Sequence, residues 1–329
     1  MNPPLSPLVF QPVYQCSLWG GNRFRTLYHR TGVPAVCAES WEISAHPDGM
    51  SAVSDGPFAG QTLAELTSRY GVALTGTRAP DPARFPLLFK LLDASDRLSV
   101  QVHPNEACAA RAGGEPKTEA WIVLDCAPGA LLYAGLKPRV TPKTLRAALA
   151  DGTVTEQLLS FEPRPGQALF LPGGLAHAIG EGCLIYEVQQ NANTTYRLFD
   201  WNRTGPDGQA RPLQIDRGLA AIDWSLPPPQ LITPQPPSAT GAALDGPAIL
   251  SCPAFSMRRL DLREPLRVEP DGTSFLAFFA AAGCVTVAAA EERHHPITLV
   301  PGASLLLPAA ATAQTFTPRP EATLYVTTL

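Results

Sequence analysis

One eight-residue pattern occurs twice in this chain. Pro165-Gly166-Gln167-Ala168-Leu169-Phe170-Leu171-Pro172 is echoed by Pro301-Gly302-Ala303-Ser304-Leu305-Leu306-Leu307-Pro308. Each copy reads as a tight Pro-Gly turn, a short buried strand and a proline stop. Two copies of one β barrel explain the echo. The copies differ five residues after the stop, where His177 follows Pro172 but Ala313 follows Pro308. The second copy is therefore expected to keep the scaffold and to lack the chemistry.

The rest of the chain fits this frame. Its 35 prolines and 26 glycines are spread throughout and cut the sequence into many short elements. Strands are expected over 98–103, 121–124, 168–171, 183–189 and 274–279, and helices are few. Apolar residues at helical spacing predict a helix over 62–70 closed by Gly71, and Thr141-Pro142 opens another that runs to Gly152. Residues 226–247 are Pro-rich without periodicity and read as an extended linker. The expected organisation is a catalytic domain over 1–225, the linker over 226–247, and a smaller β domain over 248–329 without metal ligands. The fold class is mainly β with a few short helices.

Six histidines limit where metal chemistry can sit. His29 and His46 lie in polar surroundings without ligand spacing, and the pair His294-His295 reads as a solvated turn. His103 differs. In Ser99-Val100-Gln101-Val102-His103-Pro104, strand alternation sends Gln101 and His103 to one face and both valines to the other. Two polar side chains facing a barrel interior need something to bind. His177 ends a G-x5-P-x-G-x2-H arrangement, the second of the two short cupin motifs, whose Pro/Gly turn aims a histidine into the barrel. Glu119, at the entry of another strand, adds a carboxylate. Two imidazoles, a carboxylate and an amide oxygen form a mixed N/O set that suits Zn²⁺ with room for substrate, and Fe²⁺, Mn²⁺ or Co²⁺ as well.

Charge and cysteine content narrow the partners. A formal charge of −4 gives no basic field for nucleic acid or an anionic membrane, while a small phosphorylated molecule needs only a few local cations. No apolar run is long enough to span a bilayer, and residues 1–10 lack a signal-peptide pattern. The seven scattered cysteines include no C-x-x-C pair, which fits reduced thiols in a cytoplasm. Nothing in the pattern sets an oligomeric state.

Four segments together resemble the type I mannose-6-phosphate isomerase (phosphomannose isomerase) family of the cupin superfamily, in its short bacterial form. They are Trp19-Gly20-Gly21; residues 85–92, FPLLFKLL; residues 99–106 with Lys117-Thr118-Glu119; and residues 170–203, which contain LPGGLAHAIG and YEVQQNANTTYRLFDWNR. The resemblance implies two cupin-type jelly-roll barrels and interconversion of mannose 6-phosphate and fructose 6-phosphate through an enediol. It implies one Zn²⁺ per chain on Gln101, His103, Glu119 and His177. The family's catalytic arginine falls on Arg197 and two active-site lysines on Lys90 and Lys117. Trp19, Glu187 and Asn193 are candidate substrate contacts. Asn193 stands where the family usually carries Asp, and an amide cannot act as a carboxylate base. The base itself stays open: Glu187 alternates with Gln189 near the His177 turn and is a candidate, and a salt-bridged structural carboxylate is an equal reading. Other readings are a different metal-dependent cupin enzyme such as an Fe²⁺ dioxygenase, and a non-catalytic sugar-phosphate-binding cupin. The Gln101 ligand and the nearby Lys and Arg residues favour a phosphosugar over an oxygenase substrate.

Overall fold

The repeated segments fold into the same local structure twice. Gly166 and Gly302 take φ of +88° and +87°, a region open to glycine at little cost. Gly166 N donates to Val123 O and Gly302 N to Ala280 O, both at 2.7 Å, and Val123 N and Ala280 N donate back to Gln167 O and Ala303 O at 2.9 Å. The strands Ala168–Leu171 and Ser304–Leu307 follow. After each proline stop a turn closes, with Leu175 N on Pro172 O and Ala311 N on Pro308 O. The likeness in sequence is a likeness in hydrogen bonding.

The structure is a computed structural model and describes residues 3–205, 208–234, 244, 246–289 and 296–329. His294-His295 and much of the 226–247 segment lie outside the described residues. The protein is mainly β with a few short helices. Expected strands appear as Val100–Val102, Glu119–Cys126, Ala168–Leu171, Cys183–Gln190 and the longer Leu276–Ala289. Helix Leu63–Tyr70 opens on a capping box: Thr62 Oγ1 accepts from Glu65 N at 3.2 Å while Glu65 Oε2 accepts from Thr62 N at 2.8 Å. Helix Pro142–Asp151 starts on Thr141 with proline in its first turn and ends at Gly152 in the left-handed region. Part of the expected linker is not free chain, because Leu231–Ile232 pairs with Leu169 and Ala168 as an edge strand.

By packing, the chain gathers into two units, one of Tyr14–Ser40 and Phe89–Thr233, the other of Met1–Val13, Trp41–Leu88 and Pro234–Leu329. This grouping follows contacts rather than chain order, whereas the boundaries at 225 and 247 divide the sequence by composition.

The unit of Tyr14–Ser40 and Phe89–Thr233 holds the candidate site. Its larger sheet includes, as neighbours, Ala168–Leu171, Glu119–Cys126, Cys183–Gln190 and Leu87–Ala94; the smaller runs Tyr196–Phe199, Val100–Val102, His177–Ile179, Leu132–Leu136 and Leu158–Phe161. The sheets meet face to face through one apolar cluster, with Leu92, Trp121, Val123, Leu171 and Ile185 from one and Leu132, Ala134 and Ile179 from the other. The outer face of the smaller sheet is covered by helices: Val100, Val102, Ala178 and Leu198 pack with Leu145, Leu149 and Leu219. Burying each such side chain is worth about 1.5–3 kcal/mol. The two valines thus face helices, as alternation predicts, and Gln101 and His103 are left for the interior.

The second unit has its own antiparallel sheet, in the order Leu250–Ser251, Ser256–Leu262, Gln314–Thr328, Leu276–Ala289 and Ile297–Leu299. Leu260, Phe278, Leu305, Leu307, Phe316 and Leu324 fill its core, with the Phe278 and Phe316 rings 4.5 Å apart. Among the described residues no metal-ligand cluster forms there.

Candidate active site

Four segments of the sandwich bring the polar side chains together. Glu119 begins its strand between Leu171 and Gln189 on the neighbouring strands. His177 begins His177–Ile179 directly opposite Gln101, and Arg197 pairs with Gln101 from the other side. His103 sits just past Val100–Val102, and its carbonyl accepts Gly174 N at 2.7 Å, which binds the Pro172-Gly173-Gly174 turn to it. A Cβ on Gly173 would stand 2.7 Å from Asn105 Cα and 2.8 Å from Pro104 O. Only glycine lets the turn that carries His177 lie this close to the segment that carries His103.

His103, Glu119 and His177 present donor atoms within 4.8 Å of one another, and all three residues are buried. His177 Nε2 is 3.4 Å from Glu119 Oε1 and His103 Nε2 is 3.7 Å from Oε2. The edge of a tetrahedron with bonds of about 2.1 Å is about 3.4 Å. Each imidazole is fixed from behind. His103 Nδ1 donates to Thr194 O at 2.9 Å and His177 Nδ1 to Leu175 O at 2.8 Å. A carbonyl only accepts, so the proton of each neutral ring is on Nδ1 and each Nε2 carries a lone pair aimed into the site. Gln101 Nε2 lies 3.3 Å from His177 Nε2. Neither oxygen of buried Glu119 accepts a hydrogen bond of regular geometry. A buried carboxylate that faces two imidazole lone pairs, with Lys117 against one of its oxygens, is a donor set that could hold a metal ion.

Beside it lies a chain of buried charges. Lys117 Nζ is 2.8 Å from Glu119 Oε2, 3.2 Å from His103 Nε2 and 3.8 Å from Glu187 Oε1. Lys90 Nζ is 3.7 Å from the same Glu187 oxygen and 3.1 Å from Glu39 Oε2. Trp121 Nε1 donates to Glu187 Oε2 at 2.9 Å, and its ring meets His177 edge-on. The partner that a buried ammonium at Lys90 demands is thus supplied by two carboxylates. Burial pulls the Lys117 pKa down, but Glu119 and Glu187 outweigh it and hold the ammonium above its usual range. Burial and the nearby Glu119 raise the Glu187 carboxyl, against the pull of both lysines.

Burial also lowers the His177 imidazole to about 4, helped by Lys117, and lowers His103 by the same two causes. This fixes the sign of an acid effect on the metal-free protein. Below 6.5 the unfolded chain takes up a proton on His177 that the folded one refuses until about pH 4. Stability is expected to hold above pH 6.5 and to fall by about 3 kcal/mol from His177 as pH drops to about 4. Urea titrations of metal-free protein between pH 4 and 7.5 check this. Stability that stays flat across that window would show that His177 is not buried in its neutral form.

The remaining predicted residues are distributed unevenly. Arg197 is partly buried and reaches the ligand set through intermediaries: its Nε donates to Ser99 Oγ at 3.3 Å, and that hydroxyl lies 3.4 Å from Gln101 Oε1. Trp19 is 4% exposed and packs in the apolar cluster with Trp121, not among the polar side chains. The glycines after it have structural reasons, since a Cβ on Gly20 would strike Ala38 and one on Gly21 would strike Asp93. Asn193 is exposed, and its backbone N donates to Glu115 Oε2 at 2.8 Å. His29 and His46 stay out of the metal cluster. Sequence reasoning missed Glu39, Trp121, Gly173 and the carbonyls of Thr194 and Leu175. The Lys90 charge inside an apolar run was a signal for a carboxylate such as Glu39; backbone carbonyls leave no signal at all.

Known proteins similar to this chain point to one family. Residues 8–120 match the family described as phosphomannose isomerase type I, catalytic domain. The chain is 33% identical over 283 residues to the mannose-6-phosphate isomerase of Streptococcus mutans serotype c, covering 85% of this chain and 87% of that one. It is 38% identical over 224 residues to a mannose-6-phosphate isomerase of Bacillus subtilis strain 168, covering 66% and 68%. The crystal structure of the mannose 6-phosphate isomerase from Bacillus subtilis superposes with a TM-score of 0.87 at 28% identity, over 98% of this chain and 99% of that one. With a buried His/Glu/His metal site on this scaffold and a relative matched over most of both chains, the chain belongs to the type I phosphomannose isomerase family.

Proposed function

We propose that this protein interconverts mannose 6-phosphate and fructose 6-phosphate as a zinc-dependent aldose–ketose isomerase. The observation that carries the reading is the buried His103/Glu119/His177 set with two lysines against it, in a chain of this family. Gln101, whose amide lies 3.3 Å from His177 Nε2, is the fourth ligand in this reading. The N/O donors suit one Zn²⁺ per chain, with a position left for substrate. When bound, zinc would supply Lewis-acid polarisation of a substrate oxygen.

The chain's own groups do the rest. Proton transfer between C1 and C2 passes through an enediol, in which negative charge builds on O1 and O2. Lys117, kept charged by Glu119 and Glu187, stabilises that charge in a water-poor site. Arg197 contributes a permanent cation from the sheet edge nearest Ser99. Lys90 holds Glu187 in place, and Glu187, whose carboxyl is raised above its usual range by burial and by Glu119, is the candidate proton carrier in this reading. Trp19 lies in the apolar core and Asn193 on an exposed loop, so neither is given a role in proton transfer here. In this reading residues 1–225 are the catalytic domain, 226–247 the linker, and 248–329 a second jelly roll of cupin type without ligands. The partner is a small sugar phosphate and the setting cytoplasmic. No described helix is long and apolar enough to cross a membrane.

A coupled assay of mannose 6-phosphate conversion, before and after chelation and with zinc added back, tests the proposal. Loss on chelation and recovery with zinc are expected. No turnover with zinc bound would overturn the assignment, and a sugar-phosphate-binding cupin would take its place.

A further inference from the structure

The sequence Asp200-Trp201-Asn202-Arg203 forms a turn that no step above uses, and it is unusually constrained. Trp201 and Asn202 take φ of +58° and +54°, two successive non-glycine residues in the left-handed region. Such conformations persist only where the surroundings over-determine them. Here they do. Trp201 Nε1 donates to Leu98 O at 2.7 Å, and the Arg97 guanidinium lies 4.2 Å from the centre of the Trp201 ring. Asp200, only 5% exposed, accepts from Arg203 Nη2 at 2.7 Å and holds Arg211 by two parallel bonds, Nε to Oδ2 at 2.7 Å and Nη2 to Oδ1.

Both ends of this hub lead to Arg197. On one side, Trp201 fixes the Leu98 carbonyl, and the next residue, Ser99, accepts Arg197 Nε at 3.3 Å. On the other, Asp200 fixes Arg211, and the next residue, Pro212, accepts Arg197 Nη1 at 3.2 Å through its carbonyl. Gln214 completes the grip: its Oε1 accepts Arg197 N at 2.9 Å and its own N donates to Arg197 O at 2.8 Å. The acceptors that orient the guanidinium are therefore set by groups one residue away, all anchored to one turn. We propose that Asp200, through its two-bond clamp on Arg211, is a positioning residue that sets the direction of the Arg197 guanidinium. The inference rests on the reading of Arg197 as a substrate-facing cation.

The test is a double-mutant cycle on the zinc-loaded, full-length protein. Asp200→Asn keeps the shape and removes the charge that orders Arg211. It is expected to lower kcat up to about a hundredfold, the scale of a misplaced catalytic group, with KM changed less and zinc content unchanged. In an Arg197→Ala background the same substitution is expected to cost almost nothing more, because its effect passes through the missing side chain. Wild-type kcat in Asp200→Asn, or losses that multiply in the double mutant, would overturn the inference. Should Asp200→Asn not fold, Arg211→Lys keeps the charge but not the fork, and is expected to show a smaller fall in kcat that is equally silent without Arg197. A second readout separates this inference from the functional proposal. The Arg197 Nε–H resonance, assigned by its loss in Arg197→Lys, is expected to be sharp in the wild type and exchange-broadened in Asp200→Asn, whether or not the protein turns over mannose 6-phosphate. An equally sharp signal in both proteins would sink it.

Discussion

Replacing Glu119 with glutamine is expected to strip the metal and lower kcat/KM by about a thousandfold, since metal-ion charge stabilisation is worth several kcal/mol. The two side chains have the same shape, so the change isolates charge. Glu119 is 1% exposed and both its oxygens face the lone pairs of His103 and His177. A neutral amide there offers one weaker donor oxygen and leaves two imidazoles to hold a dication in a dry site. The same substitution removes the counter-charge 2.8 Å from Lys117 Nζ, leaving Glu187, at 3.8 Å, as the other carboxylate beside it. The metal-free variant is therefore expected to lose about 3 kcal/mol of stability, the lower end of what breaking a buried pair costs. Metal analysis after desalting, steady-state rates and urea unfolding check the three parts. A variant that keeps a full complement of zinc and the wild-type rate would refute the ligand assignment.

The second large effect is expected at Lys90. Its ammonium lies between Glu39 and Glu187, with its side chain 5% exposed. Lys90→Met fills similar volume but leaves Glu187 buried with one cation fewer. A loss of about 3 kcal/mol is expected, again because an uncompensated buried charge is dearer than the pair was worth. The diagnostic result lies in the double variant. Adding Glu187→Gln to Lys90→Met removes the charge left behind, and Trp121 Nε1 still has an oxygen to which it can donate. The double variant is expected to be more stable than the sum of the two single losses allows. Strict additivity in urea midpoints, at an unchanged slope, would show that the two residues do not share a charge balance.

Much of this was legible in residue order because the relevant physics is short-range. Alternation in 99–103 sorts Gln101 and His103 from Val100 and Val102 with no knowledge of what lies on either side. A Pro-Gly turn and a proline stop specify a four-residue strand wherever they occur, which is why the two repeated segments share their hydrogen bonds as well as their letters. Thr62 with Glu65, and Thr141 with Pro142, announce helices through caps that act within one turn. The length of Leu276–Ala289 was not legible, since the expected strand stopped at 279 while pairing with Gln314–Thr328 carries it through Gly283. Nor was the edge strand Leu231–Ile232, which exists because Ala168 and Leu169 offer it a ladder.

By itself, then, the sequence determined the β-rich class, the punctuation of the elements and the residue types able to hold a metal. The tertiary structure alone decided which of those residues meet. His103 and His177 are 74 positions apart in number (177 minus 103), and they meet because Gly173 has no side chain to hold their segments apart. The tautomers of both rings depend on the carbonyls of Thr194 and Leu175, atoms that every residue type carries and that no residue letter distinguishes. Trp19, which the motif brought forward as a substrate contact, lies in the apolar cluster. Glu39 gained a place beside Lys90. Local preferences act through covalent geometry and are written in neighbouring letters; the charge balance of a buried site is set by distances across strands, and only the folded chain holds those distances.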